Sequence, residues 1–169
     1  MGLDVSGVRD KLFELAREYS QELSRCLGED LISVVLYGSV ARREATPTSD
    51  VDLLIVATGL PKGQFRRKEL LAPADEAIAP AMEALSKGGI DTAFSRIVKT
   101  PQEASRIVPL YLDMVEDAIL LLDRDDFFRE VLGGLRERLK RMGARRVRSG
   151  RIRYWDLKPD LKPFERFSI

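Results

Sequence analysis

Histidine and asparagine are both absent from the 169 residues, and cysteine occurs once, at Cys26. Without His there is no His-ligated zinc, no Ser-His or Cys-His nucleophile pair, and the commonest general base is missing. One Cys permits neither an intramolecular disulfide nor a thiolate metal cluster. Gln is confined to positions 21, 64 and 102 while charge of both signs is plentiful, a bias that resembles proteins of thermophiles. No run approaches the ~18 apolar residues of a membrane span, and MGLDVSGVRDKL at the start has no apolar signal core, so the expectation is a soluble, cytoplasmic protein. Chemistry must therefore come from carboxylates, Lys, Arg, hydroxyls and backbone amides.

What is present is an ordinary globular composition, 44% hydrophobic and 33% charged with a net charge of +1. At ~100–200 residues per domain the chain holds one domain. The expected layout is a domain over residues 1–124, followed by a C-terminal helix and a basic, Pro-containing tail over 125–169 packed on that same domain.

Apolar residues at helical spacing from Val8 to Leu27 predict an amphipathic first helix ending before Gly28. Leu31 to Tyr37 is β-branched and almost continuously apolar, the pattern of a buried central strand, and Val51 to Val56 reads as a second strand. Residues 64–87 suit helix, but Pro73 and Pro80 should each end or kink it, predicting two pieces. Asp91 to Lys99 reads as a third strand. Thr100-Pro101-Gln102-Glu103 is a helix start with a Thr cap and a Glu three residues on, and the helix should break at Pro109. Ala118 to Leu122 reads as a fourth strand, and Asp125 to about Met142 as a helix stopped by Gly143. The final YWDLKPDLKPFERFSI should be extended, added to a sheet edge or laid across the surface.

The chemically informative stretch runs from Leu36-Tyr37-Gly38-Ser39-Val40-Ala41-Arg42-Arg43 to Ser49-Asp50-Val51-Asp52. Strand side chains alternate, so Asp50 and Asp52 project from one face of the second strand, close enough to share one or two divalent cations. Two like carboxylates repel, and a bound Mg²⁺ reverses that term. Gly38-Ser39 lies where a buried strand turns into a helical segment, so the backbone can approach a ligand and offer free N–H groups to phosphate. Ser39, Ser49, Arg42 and Arg43 are the candidate side-chain contacts to it. An uncompensated Asp52 inside Val51-Asp52-Leu53-Leu54-Ile55-Val56 costs several kcal/mol, about the usual penalty for a buried charge, which argues against a bystander role.

An apolar strand, Gly-Ser, about a dozen residues and then Asp-apolar-Asp resembles the DNA polymerase beta-type nucleotidyltransferase superfamily. The likeness is closest to its minimal, antitoxin-like prokaryotic members and more distant to kanamycin nucleotidyltransferase. The resemblance implies an α/β (α+β) fold, a mixed β-sheet flanked by helices with a C-terminal helix and extended tail. It also implies transfer of a nucleoside monophosphate, AMP first among them, from ATP or another triphosphate to a hydroxyl. Asp50 and Asp52 would then hold Mg²⁺ or Mn²⁺. The acceptor it suggests is a partner protein of the small helical HEPN type.

The family usually carries a third acid on a later strand, and by register from Thr100-Pro101 that position is Ser95. Asp91, or the Asp113, Glu116, Asp117 group, are the alternative sources of a third catalytic or metal-binding carboxylate. Ser95 also motivates a rival reading, a nucleotide-binding or partner-binding module without turnover.

Residues 136–153 carry nine basic side chains against one acid, a local charge of +8 in a chain of +1. That segment is a candidate footprint for nucleic acid or an acidic partner. Tyr154 and Trp155 beyond it are read as anchors of the tail before base-stacking groups. Lys62, Arg66 and Arg67 read as a solvated helix start.

Overall fold

The computed structural model describes residues 5–149, 152–157 and 159. The first helix, α1 (Val5–Leu27), buries Val8, Leu12, Leu15, Ala16, Tyr19 and Leu23, the stripe that a 3.6-residue period places on one face. β1 (Leu31–Tyr37) follows, then a single turn α2 (Gly38–Ala41), β2 (Val51–Ala57), α3 (Gln64–Glu69) and α4 (Ala72–Lys87). The chain continues through β3 (Phe94–Lys99), α5 (Pro101–Ala104), α6 (Leu110–Asp117), β4 (Ile119–Asp123) and α7 (Phe127–Arg141), and the last elements among the described residues are β5 (Arg145–Ser149) and β6 (Ile152–Asp156).

Four strands form one sheet in the order β3-β2-β1-β4. β1 is antiparallel to both its neighbours, while β2 and β3 run parallel, joined by the crossover through α3 and α4. The two most apolar strands are thus the two central ones, as the burial of both faces requires. Alternation divides their side chains between two cores. Val34, Leu36, Leu53 and Ile55 pack with α1 and α4, and Val35, Leu54 and Val56 pack with α6 and α7. The mixed sheet flanked by helices matches the expected fold class.

Several elements differ from expectation. Pro73 sits in the first turn of α4, where its missing N–H is unneeded, and Pro80 lies on the exposed side of a helix that runs through it. The break between the two pieces falls at Leu70-Leu71 instead. β3 begins at Phe94, not Asp91, because the Asp91 amide donates to the Pro47 carbonyl at 2.8 Å and holds that segment against the loop before β2. The Thr100 capping box forms as expected, but α5 stops at Ala104, five residues before Pro109. The sequence reading had no helix over Leu110–Asp117, where α6 buries Tyr111, Met114 and Val115.

Arg67 is not solvated. It is 8% exposed, forks onto Glu103 at 2.6 and 3.0 Å, and donates to the Pro61 and Val98 carbonyls. This tie joins α3 to the start of α5. At the C-terminus β5 and β6 form a separate two-stranded hairpin, neither added to the main sheet nor merely laid down. Trp155 anchors it, donating to the Leu112 carbonyl at 2.9 Å and packing among the residues under α6 and α7. Arg146 bridges Glu116 and Asp117, while Arg136, Arg138, Lys140, Arg141 and Arg145 are exposed. The side chains of Arg148, Arg151 and Arg153, and the tail over 160–169, lie outside the described residues. No helix among the described residues is long and apolar enough to cross a membrane.

Candidate functional site

The β1–β2 register sets Tyr37 opposite Asp52, so the next residue, Gly38, meets the Asp52 side chain as the strand turns into α2. Gly38 has φ +74, a left-handed conformation, and a Cβ built on it lies 2.0 Å from the Asp52 Oδ2. Glycine is therefore required twice over, by backbone conformation and by the carboxylate packed against the backbone. In the structure the group in close approach to the Gly38 backbone is the Asp52 carboxylate.

Asp50 and Asp52 flank Val51, whose amide donates to Ala93 at 2.8 Å and aligns the start of β2 with β3. Asp50 is exposed and Asp52 half-buried. The Asp52 carboxyl is held above its ordinary range, first by burial; a hydrogen bond from the Ser95 hydroxyl and the charge of Arg42 pull it down, and the charge of Asp50 pushes it up. Asp50, Arg42 and Ser95 thus all surround Asp52. Tyr37, beside them, is pushed up to about 12 by burial and by the Asp52 charge. Sequence reasoning missed Tyr37; its place opposite Asp52 follows from the strand register alone.

The amides opening α2 have no side-chain cap. Ser39 is half-buried, with its carbonyl accepting from the Glu44 amide at 2.8 Å. Arg42 stays near Asp52 and pairs with Glu44 at 3.1 Å. Ser49 is committed to its own loop: its hydroxyl accepts from the Thr46 amide at 2.9 Å and its carbonyl from Thr92 at 2.8 Å, which rigidifies the approach to Asp50. Arg43 turns to the α1 side of α2, where it lines a cavity with Arg9, Asp10, Phe13, Val40 and Ile119.

Among the described residues no third carboxylate is grouped with Asp50 and Asp52 as a metal site. Ser95 pairs in register with Asp52 on β3, as counted from Thr100, and donates to it. Asp91 is exposed and precedes β3, Asp113 is exposed on α6, and Glu116 and Asp117 bind Arg146. Among the described residues no three His, Cys, Asp or Glu side chains are grouped as a metal site. Asp50 and Asp52 nevertheless fit a divalent cation, since a half-buried carboxylate pushed up by burial and by a second carboxylate is relieved by positive charge.

Residues 16–132 match the family model described as "Nucleotidyltransferase domain". A Methanocaldococcus jannaschii protein named "Putative protein adenylyltransferase MJ1305" is 33% identical over 127 residues, covering 74% of this chain and 81% of the relative. Among solved structures, a Sulfolobus solfataricus protein described as a "putative nucleotidyltransferase" is 22% identical with a TM-score of 0.48, covering 74% of this chain and 92% of that one. A Shewanella oneidensis complex of a tri-AMPylated HEPN toxin with MNT antitoxin is 17% identical with a TM-score of 0.42, covering 77% and 92%.

Proposed function

The chain belongs to the nucleotidyltransferase domain family, and from that premise we propose that it transfers AMP from ATP to a hydroxyl of a partner protein with Mg²⁺ or Mn²⁺. The observation that carries this reading is Asp52 held against the Gly38 backbone, with Asp50 near enough to act on its charge and the uncapped amides of α2 beside it. A protein acceptor is supported by the name of the 33% identical relative, and the sequence resemblance makes a small helical HEPN-type protein the candidate to test first.

The residues divide the work as follows. Asp50 and Asp52 would hold the cation, which would neutralise the carboxylates and draw charge off the phosphoryl oxygens. The Gly38, Ser39 and Val40 amides receive phosphate oxygens, with Arg42 adding a charge-assisted contact once it leaves Glu44. The acceptor oxygen bonds to the α-phosphorus, the bridge to the β-phosphate breaks, and pyrophosphate departs. The hydroxyl proton goes to water, because Ser95 already donates to Asp52 and is no base. Label transfer from α-labelled ATP to a co-purified or genetically adjacent protein tests the reading. Transfer that persists in Asp50→Asn/Asp52→Asn would count against these residues.

Ser95 in the register position beside Asp52 favours a second reading, nucleotide binding without turnover. Pyrophosphate release that vanishes in Asp52→Asn would eliminate it.

A further inference from the structure

Behind α2, on the side packed against α1, lies a cavity of about 260 Å³ lined by Arg9, Asp10, Phe13, Val40, Arg43 and Ile119. We infer that it takes a carboxylate-bearing apolar segment of the acceptor protein, a deepening of the proposed function that rests on that reading.

The charges set the ligand class. Neither Arg9 nor Arg43 forms an ion pair among the described residues, and the Arg9 Nε is buried without an acceptor. The other three buried, unpartnered Nε atoms belong to Arg96, Arg124 and Arg146, whose guanidiniums pair with Asp75, with Glu29, and with Glu116 and Asp117. Only Arg9 lacks such a partner, and a buried donor of that kind is satisfied by an incoming acceptor. Arg43 is presented from an uncommon backbone, φ 58, closed by its amide donating to Val40 at 3.1 Å.

The rest of the lining narrows the choice. Phe13, one helical turn beyond Arg9, joins Val40 and Ile119 in an apolar floor. Asp10 repels a polyphosphate but accepts an N–H, so two guanidiniums and one carboxylate suit a single carboxylate with an amide beside it. That is a peptide, not a second nucleotide.

The location suits an acceptor. Ile119 pairs with Leu36 at the same end of the sheet as Tyr37 and Asp52. Gly38 touches Asp52, and Val40, two residues on, lines the cavity.

The test uses amide NMR spectra of the isotope-labelled full chain titrated with N-acetylphenylalanine, its neutral amide, and pyrophosphate. Expected are saturable shifts at Phe13, Val40, Arg43 and Ile119 with the acid. The neutral amide should bind at least about tenfold more weakly, and binding should be lost in Arg9→Gln and in Arg43→Gly, where glycine suits the backbone. Equal binding of the amide, stronger binding of pyrophosphate at the same residues, or wild-type binding by both variants would overturn the proposal. MgATP titrated into the same samples separates the two claims. Acetylphenylalanine binding without MgATP binding in the wild type contradicts the nucleotide reading alone, and the reverse contradicts the cavity alone.

Discussion

Replacing Gly38 with Ala tests the geometry on which the site depends. A non-glycine residue in the left-handed region costs about 1–2 kcal/mol, and φ +74 places Gly38 there. The new Cβ would fall 2.0 Å from the Asp52 Oδ2 and 2.9 Å from its Cγ, so the carboxylate must turn away or α2 must shift. Overpacking of that kind adds about 1–3 kcal/mol. Relief is partial because Asp52 is only half-buried, and the expected net loss is about 2–4 kcal/mol. Denaturant unfolding followed by circular dichroism measures it, with Gly134→Ala as the control. Gly134 lies inside α7 with nothing within 4 Å of an added Cβ, so that change should stabilise by about 0.5–1 kcal/mol. Gly38→Ala should also abolish MgATP binding by displacing Asp52. A loss under about 0.5 kcal/mol with MgATP binding intact would refute the reasoning, since surface-like substitutions fall in that range.

Three further outcomes are expected. Asp52→Asn should raise the melting temperature of the protein without divalent cation, because burial and Asp50 hold the Asp52 carboxyl high and its ionised form is a burden on the fold at neutral pH; a drop in melting temperature would contradict this. Glu103, drawn down to about 2 by Arg67 and the Thr100 amide, adds stability that is complete above its unfolded value near ~4.3 and disappears as pH falls through about 2. Glu103 is 41% exposed, so Glu103→Gln should cost only about 1 kcal/mol at pH 7, with mutant and wild type converging near pH 2. Ser95→Asp, opposite Asp52, should destabilise by about 1–2 kcal/mol in chelator and gain more melting temperature from Mg²⁺ than wild type does; equal Mg²⁺ responses would show that residue 95 does not face the cation.

The central strands and the Gly-Ser to Asp-x-Asp constellation were legible in the sequence because each is set locally. β1 and β2 announce themselves as continuous apolar runs, whereas Asp50 falls just before β2, which begins at Val51, so strand alternation does not set its direction. Ser95, counted back from the Thr100 cap, lies on β3 in register with Asp52. What failed depends on tertiary partners. Arg66-Arg67 carries no local sign that Arg67 will be buried against Glu103, 36 residues away. α6 is eight residues bounded by Pro109 and Ala118, too short for a clear period, and its helix is fixed by burying Tyr111 and Met114. Arg43, next to Arg42 in sequence, lines the cavity beside α1 from a backbone of positive φ, a placement that adjacency in sequence does not reveal.

The most direct test of the proposed site is calorimetric titration of MgATP into wild type and into Asp50→Asn/Asp52→Asn, with pyrophosphate release followed on the same samples. The account expects divalent-dependent binding in the wild type that disappears in the double variant. Binding of equal strength in both, or ATP binding indifferent to the cation, would contradict it.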